Sequence, residues 1–171
     1  MRNLFRTSLL LLLAVSLLTS TAFAEGEWEV TPASERALQK GLDWLARSQG
    51  PEGNWGSNDL GLVGMGALAF LSAGYLPGRG RYGNTVQRAL TYVTKNAKPS
   101  GLLNISNAQR DMYNHGLAAF ALGQAYGMTN DKVLSNVLDK SLKLISNTQA
   151  EDGGWDYRAR RQGRGHDLSL V

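Results

Sequence analysis

The stretch Lys40–Trp55, KGLDWLARSQGPEGNW, decides the fold because it recurs later in the chain. A second full copy, Lys140–Trp155, reads KSLKLISNTQAEDGGW, and an eroded copy between them, Arg88–Leu103, reads RALTYVTKNAKPSGLL. The three copies align without a gap, and their first residues are 48 and 52 residues apart. A period of about 50 residues is typical of stacked supersecondary units. The sequence therefore predicts three repeats.

Each copy begins with a basic residue and a small residue, and each ends in a turn that contains glycine. The two full copies also share Gln and Trp, whereas the middle copy keeps only the glycine. We interpret these residues as structural, with the Gln bonding backbone groups at the helix end and the Trp covering the turn. The alternative is that a Trp serves as a stacking platform for a sugar. The motif residues are Gln49, Gly53, Trp55, Gly101, Gln149, Gly153 and Trp155.

This pattern resembles the QW repeat of squalene/hopene cyclases and of protein prenyltransferase β-subunits. The resemblance covers about residues 32–171, although the second full copy departs from the pattern at Ser141 and Leu144. It implies an α/α toroid, in which outer and inner helices alternate around a hollow. It does not carry over the chemistry of those families. The chain has no D-x-D-D acid cluster, and with no cysteine it lacks the thiolate of the prenyltransferase zinc site.

Residues 1–24 have the features of an export signal. Arg2 and Arg6 precede an apolar run from Ser8 to Leu18, and Ala22-Phe23-Ala24 forms a small-x-small cleavage site. The run is shorter than the roughly 20 apolar residues that span a bilayer. We predict cleavage after Ala24, no stable membrane span afterwards, and a periplasmic or extracellular location.

Composition excludes several classes of function. The net charge of +4 is modest, and part of it lies on the two arginines of the export signal, so we expect no nucleic-acid partner. The chain has no cysteine, which rules out disulfides, thiolate metal sites and cysteine nucleophiles. With only two histidines and scattered acids, we expect no metal and no cofactor.

Apolar periodicity predicts an all-α fold of outer and inner helices. Outer helices are expected at about 32–48, 85–97 and 131–147, each with one apolar stripe facing the inner helices. Inner helices are expected at about 59–73 and 111–126 and should be buried nearly all round. The repeats then span about 32–80, 81–130 and 131–171 within the mature chain, residues 25–171.

The third repeat is expected to be truncated, which makes the toroid partial. Its inner helix should begin near His166, only five residues before the last residue, Val171. Two turns do not form a stable helix alone. We therefore expect either that the sequence is a fragment or that self-association with another subunit completes the stack.

Two groups of residues are weak candidates for chemistry. The first group lies at the N-termini of the second and third inner helices, where a histidine could act as an acid or a base; each could instead cap its helix. The second is a basic loop that could clamp an anion or could simply be solvated. The first group is Asp111, Tyr113, His115, His166 and Asp167, and the second is Arg158, Arg160, Arg161 and Arg164.

Three functions remain open, and the sequence does not decide whether the protein is an enzyme. We favour a binding or interaction scaffold that presents its concave face to a ligand or a protein. One alternative is a squalene-cyclase-like enzyme whose catalytic acid lies beyond Val171, and another is a polysaccharide lyase or hydrolase on an α/α toroid. A hydrated concave face would favour the scaffold, a hydrophobic lining the cyclase-like enzyme, and an Arg, Tyr and His lining the glycan enzyme.

Three substitutions test the structural and functional assignments. His115→Ala should change stability little but should lower any binding or activity that exists. Trp55→Ala or Trp155→Ala should lower the free energy of unfolding by about 3–5 kcal/mol if the rings are fully buried.

Overall fold

A computed structural model describes residues 30–163, in which all regular secondary structure is helical and no strand occurs. The prediction of an all-α fold is confirmed for these residues. A 3-10 turn, Ala108–Arg110, leads directly into the fourth helix. The α-helices are α1 Pro32–Ser48, α2 Leu60–Ser72, α3 Gly83–Lys95, α4 Asp111–Thr129 and α5 Lys132–Thr148.

The chain divides after Arg36 into two compact units. In the first, the described residues are the start of α1 and its cap. Thr31 Oγ1 accepts a hydrogen bond from the Ser34 N–H (3.1 Å), and Ser34 Oγ accepts one from the Thr31 N–H (2.9 Å). This reciprocal pair satisfies donors that a helix N-terminus leaves unpaired, with Pro32 at the first helical position. The second unit starts at Ala37 and contains the remaining described helices.

Helix boundaries follow the local capping residues. Asp59 and Asp131 cap α2 and α5, each accepting two backbone N–H bonds in the first turn. The predicted boundaries of α3 were two residues too late at both ends, because Asn96 Nδ2 bonds the Tyr92 carbonyl (2.8 Å) just after the helix ends at Lys95. The predicted end of α4 was three residues too early, since the helix continues through Gly127 and stops where Asn130 turns left-handed (φ 54°).

The core lies where α2 packs against both α3 and α4, and α4 in turn packs against α5. Phe70 of α2 and Leu122 of α4 are fully buried in it, together with the apolar stripe of α3. Gly64 lets α2 and α4 approach closely, because a Cβ there would lie 3.1 Å from Ala118 Cα. The small residues of these two helices therefore have a packing role.

The expectation that α2 and α4 are buried nearly all round was wrong. Leu62 and Met65 of α2 are 53% and 49% exposed, and Phe120 of α4 is 65% exposed. The outer stripes were also only partly predicted. The stripe of α3 is buried, but Leu38 of α1 and Leu142 of α5 are about half exposed. The reason is that each of these helices has packed neighbours on only some of its sides.

Among residues 30–163, none of the helices combines the length and the apolar character needed to cross a bilayer.

Candidate functional site

Each copy of the repeated motif ends in a turn that we call a corner. The first corner, residues 49–55 after α1, joins the end of α1 to α3. Gln49 Nε2 donates to the Gly53 carbonyl (3.0 Å) and to the Thr85 carbonyl of α3 (2.9 Å), and Gln49 Oε1 accepts from the Arg88 guanidinium (2.6 Å). Trp55 Nε1 donates to the Leu45 carbonyl in the last turn of α1 (2.8 Å). One Gln thus closes its own turn and also bonds the next outer helix.

The third copy makes the same two local hydrogen bonds. Gln149 Nε2 donates to the Gly153 carbonyl, and Trp155 Nε1 donates to the Ile145 carbonyl, both at 2.8 Å. The roles differ from those expected, because the Trp bonds the helix end and the Gln bonds the turn. Both Trp rings are only partly buried, so the cost of removing either ring is lower than that of a core aromatic.

The corner glycines pack against the first residue of the next copy. Gly53 and Gly101 have φ of 102° and 90°, and a Cβ on either would lie 2.4 or 2.5 Å from the carbonyl oxygen of Arg88 or Lys140, respectively. Only glycine fits such a contact at positive φ. Gly153 has a similar φ of 88°, but a Cβ there would meet no atom closer than 4.0 Å.

A buried polar network surrounds the N-terminus of α4. Its centre is Asn104, which is fully buried in the loop that follows α3. Asn104 Nδ2 donates to Asp111 Oδ1 (2.7 Å), and Asn104 Oδ1 accepts from Ser106 Oγ (2.9 Å) and Asn114 Nδ2 (3.0 Å). The network holds the loop onto the helix and satisfies groups whose burial would otherwise be costly.

Asp111 and Tyr113 do not form a shared site. The Asp111 carboxylate is buried, and its Oδ2 accepts the Ala159 N–H (3.3 Å) while Oδ1 is bonded by Asn104. Tyr113 is 44% exposed and takes no part in this network. Asp111 therefore connects three segments, namely α4, the loop before it and the loop after α5.

His115 connects the loop between α3 and α4 to α5. Its side chain is 0% exposed, and Nδ1 accepts the Leu103 N–H at 3.0 Å. Nδ1 is therefore unprotonated, so Nε2 carries the proton and donates to the Ser141 carbonyl at 3.0 Å. Burial lowers the pKa of His115, against smaller raising effects of the Ser141 bond and the Asp111 charge. The imidazole is thus a neutral connector with both nitrogens engaged.

This burial overturns the expectation that His115→Ala would change stability little. Sequence reasoning placed His115 at an open helix mouth, whereas it is bonded to the loop before α4 on one side and to α5 on the other. Removing the ring would leave a buried N–H and a buried carbonyl without their partner.

The basic loop does not gather its arginines on one point. Arg158 Nε donates to Gln109 Oε1 (3.1 Å), and Arg160 Nε lies 3.3 Å from Asp156 Oδ2. Arg161 is exposed. Arg164, His166 and Asp167 lie outside the described residues, as does the predicted export signal.

Sequence reasoning missed Asn104 and Asp156, and the repeat alignment could have found both. They directly follow Leu103 and Trp155, the last motif positions of copies two and three, and both are buried. Asp156 Oδ2 bonds both Arg160 and Gln162, so it organises its loop as Asn104 does. The sequence signal for such a loop-organising residue is a polar residue directly after the last motif position.

A separate polar cluster fixes the segment between α2 and α3. Tyr82 is buried, and its hydroxyl donates to Asp43 Oδ1 of α1 (2.5 Å), which also pairs with Arg81 (2.9 Å). Burial and the Asp43 hydrogen bond raise the pKa of the Tyr82 phenol. This cluster tethers the connection to α1.

The described residues contain no group of three or more His, Cys, Asp or Glu side chains placed to hold a metal ion. They do form a small apolar cavity of about 320 Å³ between α1, the first corner and α2. Leu45, Trp55, Leu62, Met65 and Gly66 line it. Its size and lining are those of a site for an apolar group.

Comparison with protein-family models, with curated proteins and with solved structures finds no significant match.

Proposed function

We propose that the protein is an exported, non-catalytic helical-repeat scaffold of the QW-repeat α/α type, a partial toroid that binds an apolar ligand or partner segment. The observation that carries this proposal is that the side chains able to act as acids or bases serve as structural hydrogen-bonding partners. His115 and Asp111 engage their hydrogen-bonding atoms in holding helices and loops together. A general acid or base needs at least one such atom facing a substrate.

The repeat architecture is supported by equivalent contacts at equivalent positions. Trp55 and Trp155 bond carbonyls ten residues earlier, and Gln49 and Gln149 bond carbonyls four residues later. Gly53 and Gly101 each pack against the opening residue of the following copy. Contacts that recur from copy to copy are what stacked repeat units require.

The binding surface we assign is the apolar cavity beside the first corner. Leu62 and Met65 are each about half exposed there, although both are large and apolar. The Trp55 ring forms the wall against Gly66, where a Cβ would come within 2.5 Å of it. Exposed apolar residues that share a concave surface favour a binding role over a solvated face.

The test is a fluorescence titration of the full chain with the apolar probe 1-anilinonaphthalene-8-sulfonate. Leu62→Asn and Met65→Asn should each weaken probe binding severalfold without lowering the melting temperature. The matched control is Val133→Asn, because Val133 is 62% exposed on α5 and does not line this cavity. Equal binding by all four proteins would refute the assignment of this surface.

The apolar lining also favours a second candidate, a squalene-cyclase-like enzyme. The two candidates separate when the full chain is incubated with squalene and the lipid extract is analysed by mass spectrometry. A scaffold returns squalene unchanged, whereas a cyclised product would replace the scaffold proposal with the enzyme. No corresponding observation supports the glycan enzyme, since Arg158 and Arg160 bond different partners.

Export is tested separately from binding. Intact-mass measurement of protein recovered outside the cytoplasm should give a chain that starts at Glu25. A chain that retains Met1 would contradict cleavage after Ala24.

A further inference from the structure

The second corner, residues 97–103, lacks the glutamine that the first corner contains. Ala97 stands at the position of Gln49, and a pocket of about 370 Å³ opens beside it, between the end of α3 and α5. The lining of this pocket includes Thr94, Ala97, Lys98, Gly101, Val137 and Lys140. Three of these residues are equivalent to the partners of the Gln49 side chain in the first corner, which are Gly53, Thr85 and Arg88. The pocket is therefore the space that a glutamine would fill.

Ser141 replaces the donor half of the missing glutamine. In the first corner, Gln49 Nε2 donates to a carbonyl of its own turn (3.0 Å) and to a carbonyl of the next outer helix (2.9 Å). The equivalent carbonyls of the second corner, Gly101 and Val137, accept from the buried Ser141 hydroxyl at 3.0 and 2.9 Å. Ala89 stands at the position of Ser141 beside the first corner, so the hydroxyl is present only where the glutamine is absent. The two carbonyls of the second corner therefore already have a donor.

The acceptor half of the missing glutamine has no replacement. Gln49 Oε1 accepts a hydrogen bond from the Arg88 guanidinium (2.6 Å), and Lys140 stands at the position of Arg88 one copy later. In the described part of the chain, the ammonium groups of Lys140 and Lys98 have no hydrogen-bond acceptor and no carboxylate within bonding distance. The adjacent Asp139 carboxylate is already paired within α5 at 2.7 Å. The pocket thus presents two positive charges that lack an acceptor among these residues.

We propose that the pocket of the second corner binds a short aliphatic carboxylate. An ionised carboxylate only accepts hydrogen bonds, so it matches the lysine ammonium groups, and such charge-assisted bonds are stronger than neutral ones. A neutral amide fits less well, because Ser141 already bonds the two carbonyls that the amide N–H groups would meet. The side chains of Ala97 and Val137 supply apolar surface for a short alkyl chain.

The carboxylate pocket is separate from the apolar cavity beside the first corner. The pocket is lined by the end of α3, the second corner and α5, whereas the apolar cavity is lined by α1, the first corner and α2. The two have no lining residue in common. Carboxylate binding therefore does not rest on the proposed function, and either one can fail without the other.

The test is a titration of the isotope-labelled full chain with sodium butyrate at constant ionic strength, followed by proton–nitrogen correlation NMR. The amide resonance of Gly101 should shift and reach saturation, whereas butyramide, the neutral analogue, should bind more weakly because it lacks the charge. Lys140→Gln should weaken butyrate binding about threefold or more, as expected for loss of a partly exposed ion pair. The matched control is Lys132→Gln, because Lys132 is exposed in the first turn of the same helix and does not line the pocket.

Any of three results would overturn the proposal. Shifts that do not saturate would show that butyrate has no defined site at the second corner. Equal binding of butyrate and butyramide would show that the charge is not recognised. Equal effects of Lys140→Gln and Lys132→Gln would show that the ammonium group in the pocket has no special role.

A carboxylate supplied by the chain itself gives an independent measurement. Ala97→Glu should place its own carboxylate in the pocket, so that butyrate no longer shifts the Gly101 amide while the helical circular dichroism is retained. The equivalent turn of the first corner already accommodates a side chain of that length, Gln49. Unchanged butyrate binding by Ala97→Glu would contradict the proposal, while weaker probe binding by Leu62→Asn would still support the separate apolar cavity.

Discussion

The α3 and α5 helices carry the same apolar stripe at matched positions, and the stripe is buried in one helix and open in the other. Val86, Leu90 and Val93 of α3 have at most 1% exposure, whereas Leu142 of α5 is 50% exposed. The difference arises because α3 packs extensively against α2, while α5 packs less extensively, mainly against α4. Burial of each stripe is thus decided by the helices that pack beside it and not by the sequence of the stripe itself.

The largest predicted effect is at His115, which joins the buried loop between α3 and α4 to α5. His115→Ala should lower the free energy of unfolding by about 3–5 kcal/mol, because it creates a cavity and leaves the Leu103 N–H and the Ser141 carbonyl unpaired. Urea unfolding followed by circular dichroism measures the change. The control is Tyr113→Ala two residues away, which should lower it by under about 1 kcal/mol since Tyr113 is exposed. Equal effects would mean that the two ends are not coupled through this ring.

Matched leucine-to-alanine substitutions test the comparison between the apolar stripes of α3 and α5 directly. Leu90→Ala should lower the free energy of unfolding by about 2–4 kcal/mol, as expected for a fully buried leucine. Leu142→Ala at the equivalent position of α5 should lower it by about 1 kcal/mol or less, because Leu142 is 50% exposed. A loss as large as that of Leu90→Ala would show that the α5 stripe is covered in solution and would remove the contrast between the two helices.

A smaller difference in stability is expected between substitutions in the second corner, at Gly101, and in the third corner, at Gly153. Gly101→Ala and Gly153→Ala both place a side chain at positive φ, a strain of about 1–2 kcal/mol. Gly101→Ala should exceed Gly153→Ala by a further 1–2 kcal/mol, roughly, because its Cβ would lie 2.5 Å from the Lys140 carbonyl oxygen. Thermal unfolding of the two variants checks this. Identical melting temperatures would show that the third corner is packed as tightly as the second.

The helices themselves were predictable from the sequence because their signals are local. Apolar periodicity, Pro32 after Thr31, and the capping residues Asp59 and Asp131 all act within one or two turns. The all-α class follows from those signals. The ends of α3 and α4 were less predictable, because Gly127 reads as a helix terminator although the helix continues to Thr129.

The candidate site was less predictable because its burial depends on distant segments. His115 reads as a residue at an open helix end, but Leu103 and Ser141, 12 and 26 residues away, enclose it. Asn104 reads as an ordinary loop residue, but Asp111 and Asn114 bond it from the following helix. Such contacts depend on how segments distant in the sequence pack together, which local periodicity does not encode.

The smallest predicted effect concerns pH and tests whether His115 stays enclosed. Burial lowers its folded-state pKa below the ordinary value of about 6.5, so the native state holds the imidazole neutral. Between the lowered pKa and about 6.5 the unfolded chain binds more protons than the folded chain. Stability is therefore complete above about pH 6.5 and decreases as the pH falls below it, by at most about 1.4 kcal/mol per pH unit.

Proton NMR of the two histidine rings gives the direct measurement for this effect. The ring resonance that disappears in His115→Gln should titrate clearly below pH 6.5, and the melting temperature of the wild type should decrease between pH 7 and pH 5. In His115→Gln that decrease should be smaller, because the titrating group is gone and any remaining slope belongs to other residues. If the His115 ring instead titrates at or above pH 6.5, solvent reaches it. The contrast between the enclosed region around α3 and the exposed stripe of α5 would then fail at His115.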